Sequence, residues 1–267
     1  MKKQSWYAFL LLLVMSVLLV ACNDDSEEGT TTTDDSETTE EGGVLVYGRG
    51  GDTVALDPAV VTDGESFRVT ENIYDTLLTF GEQDTTIQPS LAKEWKVSDD
   101  GLTYTFTLEE GIKFHDGTDF NAEAVVKNFE RWAAGSAEKF YYYNSMFMSE
   151  GKSIISKVEA PDATTVVFTL TRPQAPFLKN IAMSPFAIAS PAAFDQLEDQ
   201  PVGTGPFVFV DWKRNDSLTI AKNPNYWKAG LPKLDRVIFR AIPDNSARLN
   251  ALTTGDIDIA DGLNPSD

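Results

Sequence analysis

A change in composition at Gly43 decides which part of this chain can fold. Residues 23–43 carry nine acidic side chains and six threonines, with no basic and no apolar side chain. Such a segment cannot bury enough apolar surface to offset the entropy lost on ordering, so residues 22–43 are predicted to form a disordered tether. Any hydrophobic core must therefore come from residues 44–267.

The first 21 residues have the pattern of a secretion leader. Two lysines precede an apolar run, Ala8–Val20, which is interrupted only by Ser16 and is too short to span a bilayer as a helix. The run ends in Leu-Val-Ala-Cys, which resembles the lipobox of bacterial lipoproteins. Residues 1–21 are thus predicted to be a signal peptide. Cys22 is predicted to carry the lipid that anchors the protein on the extracytoplasmic face of the cell membrane. The alternative is a buried cysteine beside an uncleaved anchor.

The charge balance excludes one class of partner. The chain has 22 basic and 41 acidic residues, and residues 44–267 alone have 20 and 32, a net charge of −12. Such a surface repels nucleic acid phosphates and offers no basic patch to anionic lipids. Because Cys22 is the only cysteine, no disulfide can form within the chain.

The folded part opens with a short apolar strand, Val44–Tyr47, and a glycine-rich turn, Gly48–Gly51. The turn is either an ordinary bend or a stretch of backbone left bare for close approach of a ligand. It is not a phosphate loop, since no Gly-Lys-Ser/Thr follows. Apolar residues at helical spacing then predict a helix over Phe67–Phe80.

The centre of the chain contains the only histidine. Leu102–Leu108 alternates between apolar residues and threonines, which predicts a half-buried strand, and Asn121 is a typical N-cap for a helix running to Trp132. His115 lies between them, before an Asp-Gly turn signal. A catalytic histidine needs a nucleophile, and a metal site needs several ligands, so a turn role is favoured over a catalytic or ligand role. No metal site and no cofactor are predicted.

The last part of the chain reads as strand, helix and strand. Val237–Ile242 is a predicted strand, and Ala247–Thr253 is a predicted helix with Ser246 as its cap and Gly255 as its stop. Ile257–Ile259 is a second strand. This order predicts a parallel pair joined by a crossover.

Three stretches together resemble extracellular solute-binding protein family 5, the peptide- and nickel-binding proteins of ABC importers. The first is residues 91–132, with Phe-His-Asp-Gly-Thr at its centre. The second is Pro201–Trp227, with a Gly-Thr-Gly-Pro turn and an Asn-Pro-x-Tyr-Trp segment, and the third is Leu234–Ala260, which ends in Gly-Asp-Ile-Asp-Ile-Ala. The resemblance spans residues 44–267.

The resemblance implies an α/β fold of the periplasmic-binding-protein-like type II, with two lobes. Residues 44–87 and 201–267 are expected to form the first lobe, and residues 88–200 a subdomain inserted into it. The second lobe is expected after residue 260 and is expected to be absent from this chain.

The resemblance also implies a function. We expect a monomeric binding protein, not an enzyme, that captures dipeptides or oligopeptides outside the membrane and delivers them to ABC permease subunits. A nickel-chelate or haem carrier and an extracellular hydrolase are the alternatives. Arg131 and Arg172 are interpreted as surface or structural ion-pair residues rather than as partners of a ligand carboxylate. The ligand contacts that the resemblance indicates are Gly50, Gly51, Asp52 and Thr53, and one of Tyr141, Tyr142 and Tyr143.

Overall fold

The structure, a computed structural model, describes residues 42–264, which contain thirteen strands and five α-helices. The strands are β1 (Val44–Arg49), β2 (Leu78–Phe80), β3 (Ile87–Pro89), β4 (Ala92–Val97), β5 (Thr103–Leu108), β6 (Met148–Ser149), β7 (Lys152–Ser153), β8 (Ile155–Asp162), β9 (Thr165–Leu170), β10 (Phe207–Lys213), β11 (Ser217–Lys222), β12 (Arg236–Ala241) and β13 (Ile259–Ala260). The helices are α1 (Gly64–Ile73), α2 (Ala122–Ala134), α3 (Tyr141–Phe147), α4 (Phe177–Ile181) and α5 (Asn245–Thr254).

The predicted signal peptide, Cys22 and the tether up to residue 41 lie outside the described residues, as do residues 265–267. Gly42 and Gly43, the last two residues of the predicted tether, are already tied to the fold. Gly42 donates its N–H to the Lys233 carbonyl at 2.9 Å, and Gly43 donates to the Asp235 carboxylate at 3.0 Å. Between residues 42 and 264, no helix combines the length and the hydropathy needed to cross a membrane.

A five-stranded sheet joins the two ends of the described chain, in the order β10-β11-β12-β1-β13. β1 runs parallel to both β12 and β13, and β10 and β11 continue the sheet as an antiparallel hairpin. The predicted parallel pair at the end of the chain is therefore corrected. β12 and β13 are parallel, but β1 lies between them, because its backbone pairs with β12 along its whole length and with β13 at Tyr47 and Gly48.

A second sheet, antiparallel and of order β4-β5-β9-β8, carries the largest apolar cluster. The alternation predicted for β5 is confirmed, since Tyr104, Phe106 and Leu108 are buried. Helix α2 packs on this sheet, and Asn121 caps it by accepting a hydrogen bond from the Ala124 N–H at 3.0 Å. The second apolar cluster lies on the five-stranded sheet and also includes Ala187, Ala189, Ala193 and Leu197. The division at residues 88 and 200 stays a prediction.

The helix predicted over Phe67–Phe80 is wrong at both ends. Helix α1 begins at Gly64 with Asp63 as its cap and ends at Ile73, and residues 78–80 form strand β2. The helix stops because the Ile73 carbonyl accepts the Gly205 N–H at 2.9 Å instead of a helical partner. A contact across the chain therefore sets this boundary, and no local signal marks it.

The cap predicted for the last helix is also wrong. The carboxylate of Asp244, not the hydroxyl of Ser246, accepts the hydrogen bond from the Ala247 N–H, at 2.7 Å. Gly255 does end α5, with the left-handed backbone (φ 78°) that glycine adopts without strain.

Candidate ligand-binding site

The carboxyl ends of three parallel strands meet at one edge of the five-stranded sheet, which we call the strand-end edge. β1, β12 and β13 are parallel, so the residues that follow them, Gly50, Ile242 and Asp261, leave the sheet on the same side. Ligands of α/β proteins bind at such an edge because the loops there diverge and leave a crevice. The predicted loop Gly50–Thr53 therefore lies where a site is expected.

Gly50 and Gly51 present bare backbone at this edge. Gly50 is exposed and Gly51 is half-buried. Within residues 42–264, no hydrogen bond uses the main-chain N–H or C=O of either glycine. A Cβ added at Gly50 would lie 3.7 Å from the Arg248 guanidinium, and one at Gly51 would lie 3.5 Å from Cγ of Glu65. Both residues thus offer donors and acceptors that only solvent or a ligand can satisfy.

Asp52 and Thr53 are turned inward instead. The Asp52 carboxylate accepts hydrogen bonds from the Thr53 N–H at 2.8 Å, from the Asn215 N–H at 2.8 Å and from Nε1 of Trp212 at 3.1 Å. Thr53 is buried. The Asp52 side chain ties the loop to the β10–β11 hairpin, and the Thr53 side chain ties it to Arg49. Direct contact with a ligand stays a prediction for both.

Arg49 lies beneath the loop with no exposed surface. Its Nη2 donates to Oγ1 of Thr53 at 2.8 Å and to Oδ1 of Asp52 at 3.3 Å, and its Nη1 donates to the Glu65 carbonyl at 2.9 Å. The guanidinium also lies 5.2 Å from the ring centroid of Phe239. Burial lowers the pKa of Arg49, and the carboxylates of Glu65 and Asp52 oppose that shift. A guanidinium is charged at neutral pH in any case.

A second arginine joins two carboxylates beside the glycines. Nη2 of Arg68 lies 2.5 Å from Oδ2 of Asp261, and Nη1 lies 3.3 Å from Oε2 of Glu65. Burial raises the pKa of Glu65, and the nearby Asp261 charge raises it further. Burial also raises the pKa of Tyr47, as does its interaction with the nearby Asp261.

Sequence reasoning missed Glu65, Arg68 and Asp261. The first two are one helical turn apart, a spacing that favours an ion pair. Asp261 carries no local signal, since only the sheet brings it next to α1.

The three tyrosines differ in exposure. Tyr141 is 55% exposed, and Tyr142 is half-buried with its ring centroid 6.0 Å from that of Phe67 on α1. Tyr143 is a core residue whose hydroxyl lies 3.3 Å from Oγ of Ser153. A ligand-facing tyrosine stays a prediction, for which Tyr141 and Tyr142 have the accessible rings.

His115 forms part of a structural turn. Its N–H donates to the Gly203 carbonyl at 2.9 Å, and Nε2 lies 3.0 Å from the Gly205 carbonyl, so Nε2 carries the proton of the neutral ring. Nδ1 is buried and finds no partner among the described residues. Burial lowers the pKa of His115. Over residues 42–264, no group of three or more His, Cys, Asp or Glu side chains is arranged to hold a metal ion.

Two of the motifs that carry the resemblance, Gly-Thr-Gly-Pro and Asn-Pro-x-Tyr-Trp, meet at one buried carboxylate, Asp75. Oδ2 accepts hydrogen bonds from the Thr204 hydroxyl at 2.9 Å and from Nε1 of Trp227 at 3.0 Å, and Oδ1 accepts one from the Tyr226 hydroxyl at 3.1 Å. We call these four residues the Asp75 junction. Burial raises the pKa of Tyr226, and the charge of Asp75 raises it further.

Arg131 and Arg172, the two arginines considered from the sequence, take no part in the contacts described at the strand-end edge. Arg131 pairs with the buried Asp57, and its guanidinium stacks 4.8 Å from the ring centroid of Phe194. Arg172 is exposed, and no ion pair of Arg172 occurs among the described residues.

The chain is similar in sequence and in fold to known bacterial binding proteins. Residues 86–267, more than half of the chain, match the family described as "Bacterial extracellular solute-binding proteins, family 5 Middle". A glutathione-binding protein from Pectobacterium atrosepticum is 40% identical over 215 residues, which are 79% of this chain and 40% of that protein.

Two solved structures are similar as well. The periplasmic binding protein DppA from Helicobacter pylori, in complex with the peptide STSA, has a TM-score of 0.78 and 41% identity, over 85% of this chain and 48% of that one. The binding protein AgaA from A. tumefaciens R10, in complex with agropinic acid, has a TM-score of 0.73 and 34% identity, over 80% and 43%. These neighbours are solute-binding proteins of the two-lobed periplasmic type, and this chain spans less than half of their length. By the match over residues 86–267, the chain belongs to the bacterial extracellular solute-binding proteins of family 5.

Proposed function

We propose that this chain forms one wall of the ligand site of a substrate-binding lipoprotein that serves an ABC importer. The protein captures peptides outside the membrane and passes them to permease subunits, and Cys22 provides its lipid anchor. The observation that carries the proposal is the pair of glycines at the strand-end edge, Gly50 exposed and Gly51 half-buried, whose main-chain groups have no partner among the described residues.

Peptides suit such a surface because they repeat one donor and one acceptor per residue. A loop that offers its own N–H and C=O groups binds the part of a peptide that all sequences share. Bare glycines also leave room for side chains of different size. The relatives support this ligand class, since one was solved with the peptide STSA and another is a glutathione-binding protein, glutathione being a tripeptide.

The proposal predicts an uptake defect. Deleting the gene from the bacterium that encodes it should lower import of radiolabelled glutathione or of at least one labelled dipeptide by tenfold or more. The wild-type gene should restore import, and a Gly50→Val gene should not, because the added methyl groups cover the bare backbone. Gly64→Val is the matched control, since Gly64 is also exposed and lies at the first turn of α1.

Two results would count against the proposal. Unchanged uptake of every peptide tested would remove peptides as the ligand class. Full rescue by Gly50→Val, at a protein level equal to that of Gly64→Val, would show that the glycines do not face the ligand.

A further inference from the structure

Burying the charged Arg49 side chain costs free energy, and its hydrogen bonds indicate its structural role. A cation with no exposed surface loses its hydration, and it is retained only where its donors find good acceptors. The acceptors of Arg49 are Oδ1 of Asp52, Oγ1 of Thr53 and the carbonyl of Glu65. Two of them belong to the loop Gly50–Thr53, and the third belongs to the first turn of α1.

Asp52 extends this contact to a distant part of the chain. The carboxylate that accepts from Arg49 also accepts from Nε1 of Trp212 and from the Asn215 N–H, 160 and 163 residues away. The loop is therefore fixed from below by Arg49, which is itself held by the Glu65 carbonyl of α1, and on one side by the β10–β11 hairpin. Gly50 and Gly51 are the two loop residues that these bonds leave free.

We propose that Arg49 is a positioning residue for ligand capture, which holds the loop so that the main-chain groups of Gly50 and Gly51 face outward. It does not touch the ligand, since it is buried beneath the loop. A lysine would keep the charge but could not reach Asp52, Thr53 and the Glu65 carbonyl together, because it has one nitrogen in place of a planar fork. The ligand part of this inference rests on the proposed function, whereas the effect on the loop does not.

The test measures the loop without any ligand. Backbone ¹⁵N relaxation and amide exchange are recorded on the purified full chain and on its Arg49→Lys variant. In wild-type protein the order parameters of Gly50 and Gly51 should match rigid backbone, near ~0.85, and in Arg49→Lys they should fall below ~0.6. The amides of Thr53 and Asn215, both bonded to Asp52, should exchange at least tenfold faster.

Arg131→Lys is the matched control. Arg131 is also a largely buried arginine paired with an aspartate, Asp57, and it makes no contact with the loop. It should lower the urea midpoint as Arg49→Lys does, while leaving the order parameters of Gly50 and Gly51 unchanged. Asp52→Asn should reproduce the loop effect of Arg49→Lys, and the double variant should add little to either.

Two outcomes would overturn the proposal. One is an Arg49→Lys protein whose loop stays as ordered as in wild type. The other is an equal loss of loop order in Arg131→Lys, which would make the effect one of general stability. Neither outcome depends on whether peptides are the ligand, so failure here is distinct from failure of the uptake experiment.

Discussion

Asp75→Asn is the substitution that tests most directly whether the family motifs hold the fold together. Asp75 is buried, and its carboxylate accepts from Thr204, Tyr226 and Trp227. The amide of asparagine has nearly the same shape, but only one of its two polar atoms can accept a hydrogen bond. The change therefore removes charge and acceptors and adds no volume.

The cost follows from the three contacts. If the amide oxygen faces Tyr226, the amide NH₂ faces Thr204 and Trp227. The hydroxyl of Thr204 can rotate to accept, whereas the indole N–H of Trp227 loses its partner, at about 1–3 kcal/mol. The remaining bonds change from charged to neutral acceptors, at about 1 kcal/mol each. We expect the free energy of unfolding to fall by about 3–5 kcal/mol.

Urea unfolding followed by circular dichroism measures this loss, with Asp99→Asn as control because Asp99 is an exposed carboxylate. Trp227→Phe removes the indole donor, so Asp75→Asn should cost about 1–3 kcal/mol less in that background. A loss within 1 kcal/mol of the control, or equal costs in the two backgrounds, would refute the assignment of Asp75 as the centre of the junction.

Four further substitutions have defined outcomes. Burial lowers the pKa of His115 in the folded protein, so on acidification the unfolded chain binds the proton first. The urea midpoint of unfolding should therefore fall as the pH drops below about 6.5. His115→Gln should remove this pH dependence. Gly205→Ala should lower the free energy of unfolding by more than about 2 kcal/mol, because the added Cβ would lie 2.5 Å from the Ile73 carbonyl carbon. Gly51→Ala should lower it by less than about 1 kcal/mol in the same urea assay. Cys22→Ser should move the protein from the membrane fraction to the soluble fraction, and retention in membranes would contradict lipidation.

Elements that depend on near neighbours were predictable from the sequence. The alternation over residues 102–108 needs only two faces of unequal polarity, and the structure buries the predicted face. Asn121 caps α2 through an N–H three residues away, and Gly255 ends α5 through its own backbone angle. Each of these signals lies within a few residues of the feature it determines.

Elements that depend on distant contacts were not predictable. Helix α1 ends at Ile73 because a peptide N–H from Gly205 takes the carbonyl that would continue it. The sequence marks the Gly-Thr-Gly-Pro stretch as a break, but nothing in it says which helix the break will meet. The position of β1 between β12 and β13 cannot be predicted from the sequence for the same reason. The short apolar pattern of β1 is compatible with pairing to either strand alone.

The candidate site was predictable in part. Adjacent glycines after a first strand indicate bare backbone, and the structure leaves Gly50 exposed. The inward turn of Asp52 depends on Trp212, at a separation of 160 residues, and on the buried charge of Arg49. From local sequence alone, a charged residue in a turn such as Asp52 is expected at the surface. Its burial is favourable here because the fold brings Trp212 and Arg49 next to it.

The motifs that identify the family do not identify its ligand, and the structure gives the reason. The Phe-His-Asp-Gly-Thr turn contacts the Gly-Thr-Gly-Pro turn through His115, and the latter meets the Asn-Pro-x-Tyr-Trp segment at Asp75. Within residues 42–264, no hydrogen bond of the Asp75 junction or of His115 involves the loop Gly50–Thr53. One relative is named as a glutathione-binding protein, a second was solved with a peptide, and a third was solved with agropinic acid. The Asp75 junction joins the chain after α1 to the Gly-Thr-Gly-Pro turn and to the segment between β11 and β12, so it can have the same structural role in proteins that bind different cargoes. Under the proposed function, we expect differences in ligand to be encoded at the strand-end edge, in residues such as Glu65, Arg68 and Asp261, where a change of charge alters the surface and leaves the junction intact.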